Sequence, residues 1–117
     1  MTTVYLFVYG TLMRGRRNHR LLAGAVFVGP ARTAARYRLY DLGPYPGLVE
    51  AADGVSVAGE LWKVSGADLS GLDEFEGVPE LFDRRPVELA DPAVAAEAYF
   101  YQGEVGGARD LGDRYPG

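Results

Sequence analysis

From Val4 to Val8 the chain reads Val-Tyr-Leu-Phe-Val, apolar at every position. A strand with one wet face would alternate. An unbroken apolar run that ends at a glycine reads as a central strand buried on both faces. The run leads into Tyr9-Gly10-Thr11-Leu12 and then Met13-Arg14-Gly15. Glycine at position 10 allows either close approach of another group to the backbone or a positive φ. The N–H groups of Gly10, Thr11 and Leu12 could converge into a concave nest for a carboxylate or a developing oxyanion. The same residues would also serve as an ordinary strand-to-loop turn.

Composition sets outer bounds. A chain of 117 residues suits a single domain, 1–117, with one core. The absence of cysteine removes disulfides and thiolate chemistry. His19 is the only histidine, which rules out a His-rich metal site and obliges any Ser-His-Asp triad to use it. The acids are plentiful, yet none has the spacing of a metal cage. A net charge of −4 argues against a nucleic-acid partner. No stretch approaches the roughly 20 apolar residues of a membrane span, so no membrane partner is expected. With no charged-then-apolar signal pattern at the N-terminus, the expected location is the cytoplasm. Nothing in the sequence sets an oligomeric state.

Taken in order, the chain reads as several strands with two short helices. Residues 3–8 form the first strand. Asn18 is placed to cap a helix that runs to about Ala23 and stops at Gly24. Arg14, Arg16 and Arg17 lie before it, either as solvated surface or as positive potential beside an anionic ligand. Strand patterns follow at Ala25–Val28, with a turn or bulge at Gly29-Pro30, and around Tyr37 and Leu39. Gly43-Pro44-Tyr45-Pro46-Gly47 is a rigid turn, Asp53-Gly54 is a hairpin signal, and alternation resumes from Val55 to Val64. Ser65 opens a second helix over about Ala67–Glu76, with Gly77 placed to stop it and Pro79 to bar its continuation. Leu81–Leu89 and Ala95–Gln102 read as strands, and the Gly-rich tail from Gly103 as loose. The whole is expected to close into a barrel or a strongly bent sheet.

The second helix carries three acids close together, Asp73, Glu74 and Glu76. At about 100° per residue, Glu76 falls between Leu69 and Leu72, Asp73 about 40° from Leu69 at the edge of that face, and Glu74 about 140° from it. Glu76 is therefore aimed at the core. Burial disfavours a carboxylate and raises its pKa, and the negative end of the helix dipole adds to this. A base raised in this way is better matched to proton transfer near neutral pH. Two plainer outcomes remain open: pairing with Arg84 or Arg85, or a frayed helix end that lets Glu76 reach water.

From Val4 to about Gln102, these stretches together resemble the γ-glutamylcyclotransferase-like family. The marks are Tyr9-Gly10-Thr11-Leu12 extended by Arg14-Gly15 and Asn18-His19, then Gly59-Glu60-Leu61-Trp62, then Leu72-Asp73-Glu74-Phe75-Glu76-Gly77 followed by Arg84. The longer loop looks most like the γ-glutamylamine cyclotransferase branch and its bacterial relatives. The resemblance implies an α+β fold, a small mixed β-barrel with short flanking helices. It implies Glu76 as the catalytic acid/base and Tyr9, Gly10, Thr11 and Leu12 as the substrate loop. Phe82 departs from the pattern, since relatives commonly carry tyrosine there.

The expected reaction is intramolecular acyl transfer on a small-molecule γ-glutamyl amine or amide, releasing 5-oxoproline and a free amine with no cofactor or metal. The alternatives are a module on the same fold that binds a small ligand without turnover, or a protein-interaction module. A nucleotide-phosphate site at the loop is disfavoured, since no Gly-Lys-Ser/Thr follows it.

Overall fold

The computed structural model describes residues 2–116. Nine strands form one mixed sheet: β1 Thr3–Val8, β2 Val26–Thr33, β3 Tyr37–Asp41, β4 Pro46–Glu50, β5 Ala58–Ser65, β6 Phe82–Val87, β7 Leu89–Asp91, β8 Ala96–Tyr101 and β9 Arg109–Asp110. Among the described residues one α-helix, α1 (Gly66–Phe75), follows β5, and a 3-10 turn occupies His19–Leu22. None of the helices among the described residues is long and apolar enough to cross a membrane.

The strand order is β7-β2-β5-β1-β8-β4-β3-β9, with β6 paired to β8 off that path. The α+β class is as expected, but the barrel does not close. β8 is where the sheet divides. It pairs along its length with antiparallel β6, and it also meets β1 in parallel at Leu6–Glu97 and β4 in parallel at Leu48–Phe100. Two strands therefore share successive parts of β8, which bends the sheet without joining β7 to β9.

Central β1 behaves as its apolar run dictates from Leu6 onward. Phe7 and Tyr9 enter one buried cluster with Leu39, Leu48, Leu61 and Phe100. Leu6 and Val8 enter the other, with Trp62, Leu69, Leu72 and Tyr99. The start of the run is less covered: Val4 is half-buried and Tyr5 exposed.

Several local expectations change. Gly29-Pro30 is a bulge inside β2, where the register with β5 shifts between Phe27 and Gly29. Asp53-Gly54 does not make a hairpin, because β4 pairs with β3 and β8 while β5 pairs with β1 and β2. Glycine is needed there because a Cβ would strike the backbone of Arg36 and Tyr37. Asn18 makes no cap for the 3-10 turn. The tail from Gly103, expected to be loose, is tied down. β9 pairs with β3, Arg32 binds Asp113 at 2.7 Å, Ala58 N–H donates to the Asp113 carbonyl, and Leu111 and Tyr115 pack on the core.

Helix α1 starts and stops as its sequence specifies. The Ser65 hydroxyl accepts from the Asp68 N–H at 3.2 Å. At the other end Gly77 adopts φ +67, its N–H donates to Glu74 O at 3.2 Å, and Val78 N–H donates to Asp73 O at 3.0 Å. This paired closure needs a left-handed residue at position 77. It also leaves Glu76 as the last residue with helical backbone angles (φ −80, ψ −4).

Two alanine substitutions separate these roles. Gly71 lies mid-helix with open space where a Cβ would go, so Gly71→Ala should raise stability by about 1 kcal/mol. Gly77→Ala should lower it by about 1–2 kcal/mol, through left-handed strain. Urea denaturation midpoints check both, and shifts of the same sign would contradict the assignment.

Candidate active site

The end of β1, the Tyr45-Pro46 turn, the C-terminal end of α1 and the entry to β6 enclose a cavity of about 210 Å³. Tyr9, Gly10, Thr11, Leu12 and Glu76, singled out by the sequence, all line it. The bottom is built from buried side chains, among them Leu12, Phe82 and Tyr99. Phe75 and Leu81, 48% and 41% exposed, stand at the mouth.

Gly10 is glycine for reasons of space. Its φ is not positive, but a Cβ at this position would lie 2.6 Å from Pro46 Cγ. The loop beyond it is held from three sides. Met13 N–H donates to Gly10 O at 3.1 Å and Asn18 N–H to Thr11 O at 3.0 Å. His19 Nδ1–H donates to Leu12 O at 2.9 Å, while its ring packs on Trp62. Glu60 accepts from the Arg14 main-chain N–H, the Arg14 guanidinium and the Trp62 indole at 3.1–3.2 Å. Gly59-Glu60-Leu61-Trp62 is thus the brace of the loop. Fixed in this way, the N–H groups of Gly10, Thr11 and Leu12 have no acceptor among the described residues.

Asn18 has a role here that a capping reading missed. Its Nδ2 donates to Thr11 Oγ1 at 3.0 Å, and both residues line the cavity. A hydroxyl that accepts in this way keeps its own hydrogen to donate elsewhere. The arginines of the loop do not line the cavity. Arg14 is taken by Glu60 and lies over Phe27, Arg16 binds the carbonyls of Tyr115 and Pro116, and Arg17 is exposed.

The acids of α1 have opposite surroundings. Asp73 is partly buried, which alone would raise its pKa. Hydrogen bonds from Arg84 (2.9 and 3.1 Å) and from the Tyr99 hydroxyl (2.7 Å) outweigh this and hold the carboxyl below its ordinary value. Arg84 also pairs with Glu97, while Arg85 lies near Glu50 and Asp83. Neither arginine reaches Glu76, and Glu76 forms no ion pair among the described residues. Burial without a partner pushes its pKa from 4.5 to about 7. Glu74 is exposed, as the wheel geometry requires. Tyr99 lines the cavity and ties β8 to Asp73. Tyr9 donates to Tyr99 O at 2.7 Å and accepts from Leu48 N–H at 3.2 Å, which joins β1, β8 and β4 beneath the site.

Residues 6–115 match the family described as γ-glutamyl cyclotransferase, AIG2-like. The chain belongs to this family. A Vibrio cholerae protein provisionally named a γ-glutamylcyclotransferase is 43% identical over 83% of this chain and 81% of its own length. Human γ-glutamylaminecyclotransferase is 38% identical over 79% of this chain and 67% of its own length. The alignment with the bovine enzyme of that name covers only 55% of that protein. Among solved structures, a mouse AIG2-like protein superposes with a TM-score of 0.84 at 28% identity, over 99% of this chain and 90% of that one. Family membership supports γ-glutamylcyclotransferase chemistry in the broad sense.

The Glu76 environment has a consequence for stability. Between about pH 4.5 and pH 7 the folded chain holds a proton that the unfolded chain has released, so this group's contribution makes stability fall as pH rises through that window. Glu76→Gln removes the effect. The variant should melt at nearly the wild-type temperature at about pH 4 and above it at about pH 8. Calorimetric melts across the range check this, and a difference that does not change with pH would contradict it.

Proposed function

We propose that this chain cyclises γ-glutamyl amines or amides, releasing 5-oxoproline and the free amine. The observation that carries the reading is an unpaired, half-buried carboxyl, Glu76, in the same small cavity as a loop whose main-chain N–H groups lack acceptors.

In this reading the polar end of the substrate lies on the loop from Tyr9 to Leu12. The N–H groups there, with the Thr11 hydroxyl, accept negative charge from a carboxylate or from the tetrahedral oxyanion. The substrate α-amino group attacks as the free amine on the γ-carbonyl carbon, the new C–N bond closes a five-membered ring, and Glu76 takes the proton that this nitrogen sheds. The bond from that carbon to the leaving nitrogen then breaks, and Glu76 returns the proton to the departing amine. Nucleophile and electrophile belong to one molecule, so the protein's task is to orient them and shuttle one proton. A carboxyl with a pKa near neutrality suits both halves of that task.

The test is 5-oxoproline release from a panel of γ-glutamyl amines. Glu76→Gln should lose at least about a hundredfold in kcat, the usual contribution of a placed acid/base. Glu74→Gln, on the exposed side of the same helix, should stay near wild type. Near-wild-type turnover by Glu76→Gln would overturn the role given to that residue.

A further inference from the structure

The cavity is graded from bottom to mouth, and this grading bears on which amine leaves. The inference rests on the cyclotransferase reading above. Ring closure requires the γ-glutamyl part to lie deep, beside Glu76 and the loop N–H groups. The substituent on the leaving nitrogen then extends toward the opening. There it meets Phe75 and Leu81, two large apolar side chains that stay about half exposed in the free protein. Behind them stand Tyr45 and Phe82, packed edge to face at 5.6 Å.

The charge at the opening points the same way. Among the described residues no Lys, Arg or His lines the cavity, and Glu76 is the one ionisable carboxyl that does. Arg84, in β6 just beyond Phe82, is already held by Asp73 and Glu97. A leaving group that ends in a carboxylate, such as an amino acid or peptide, would find no cation among the lining residues. An uncharged alkyl chain would instead cover Phe75 and Leu81 and remove their apolar surface from water.

We infer that Phe75 and Leu81 form a leaving-group subsite selective for uncharged apolar amines and against amines bearing a carboxylate.

Three substrates of matched chain length test this: γ-glutamyl-pentylamide, γ-glutamyl-(5-aminopentyl)amide and the γ-glutamyl amide of 5-aminopentanoate. They differ only at the distal end, so the reacting nitrogen keeps a similar basicity. Binding to the Glu76→Gln protein is measured by calorimetry and turnover by the wild type through 5-oxoproline. The pentylamide should bind at least about tenfold more tightly than the aminopentanoate amide, with the aminopentyl amide between them. Leu81→Lys, at an exposed position, should shrink or reverse that preference, and Phe75→Ser should shrink it. Equal affinities, or a preference for the carboxylate, would overturn the subsite. Binding in the expected order without any 5-oxoproline would overturn the cyclotransferase reading and leave the subsite standing. Turnover of all three at equal efficiency would do the reverse.

Discussion

A carboxyl drawn partly out of water and given no cation is costly, and the fold is arranged around keeping Glu76 in that condition. The contrast with Asp73 shows how selectively this is done. Both acids sit near the C-terminal end of α1. Asp73 meets the fork of Arg84 and the hydroxyl of Tyr99, and stays ionised. Asp73 and Glu97 together engage Arg84, and this guanidinium forms no ion pair with Glu76. Burial also keeps the Tyr9 and Tyr99 hydroxyls protonated, so neither adds a second anion beside the cavity. One acid is satisfied so that the other can remain unsatisfied.

The facing wall is held by an equally specific set of contacts. Pro46 packs against the bare Cα of Gly10, Glu60 braces Arg14 and Trp62, and His19 and Asn18 fasten Leu12 and Thr11. These contacts come from three separate parts of the chain, yet they fix one short loop. A loop held so firmly can present unpaired N–H groups without collapsing onto some other acceptor. Preorganised donors of this kind do not have to reorient when charge develops on a bound molecule.

Much of this was legible in the sequence. The apolar run and Gly10 placed the central strand and its end, and the angular position of Glu76 between Leu69 and Leu72 marked the unusual acid. Those signals are local, and local periodicity survives folding. What was missed depends on distant pairing. The barrel remained open because β8 is shared by β1 and β4, which no single strand pattern reveals. Asp53-Gly54 resembled a hairpin turn, whereas the glycine answers to Arg36 and Tyr37 from another strand. The tail is Gly-rich yet ordered, since Asp113 and Tyr115 find partners far back along the chain. Asn18 read as a helix cap because its partner, Thr11, lies outside the turn it precedes.

The most direct measurement is a site-resolved titration of Glu76 itself. Carbon-13 NMR of the glutamate side-chain carboxyls, with the Glu76 resonance assigned by its loss in Glu76→Gln, follows each group through its ionisation. The account predicts that the Glu76 resonance titrates near 7. A Glu76 midpoint close to the ordinary 4.5 would mean that water or a cation reaches the group, and would contradict the account at its base.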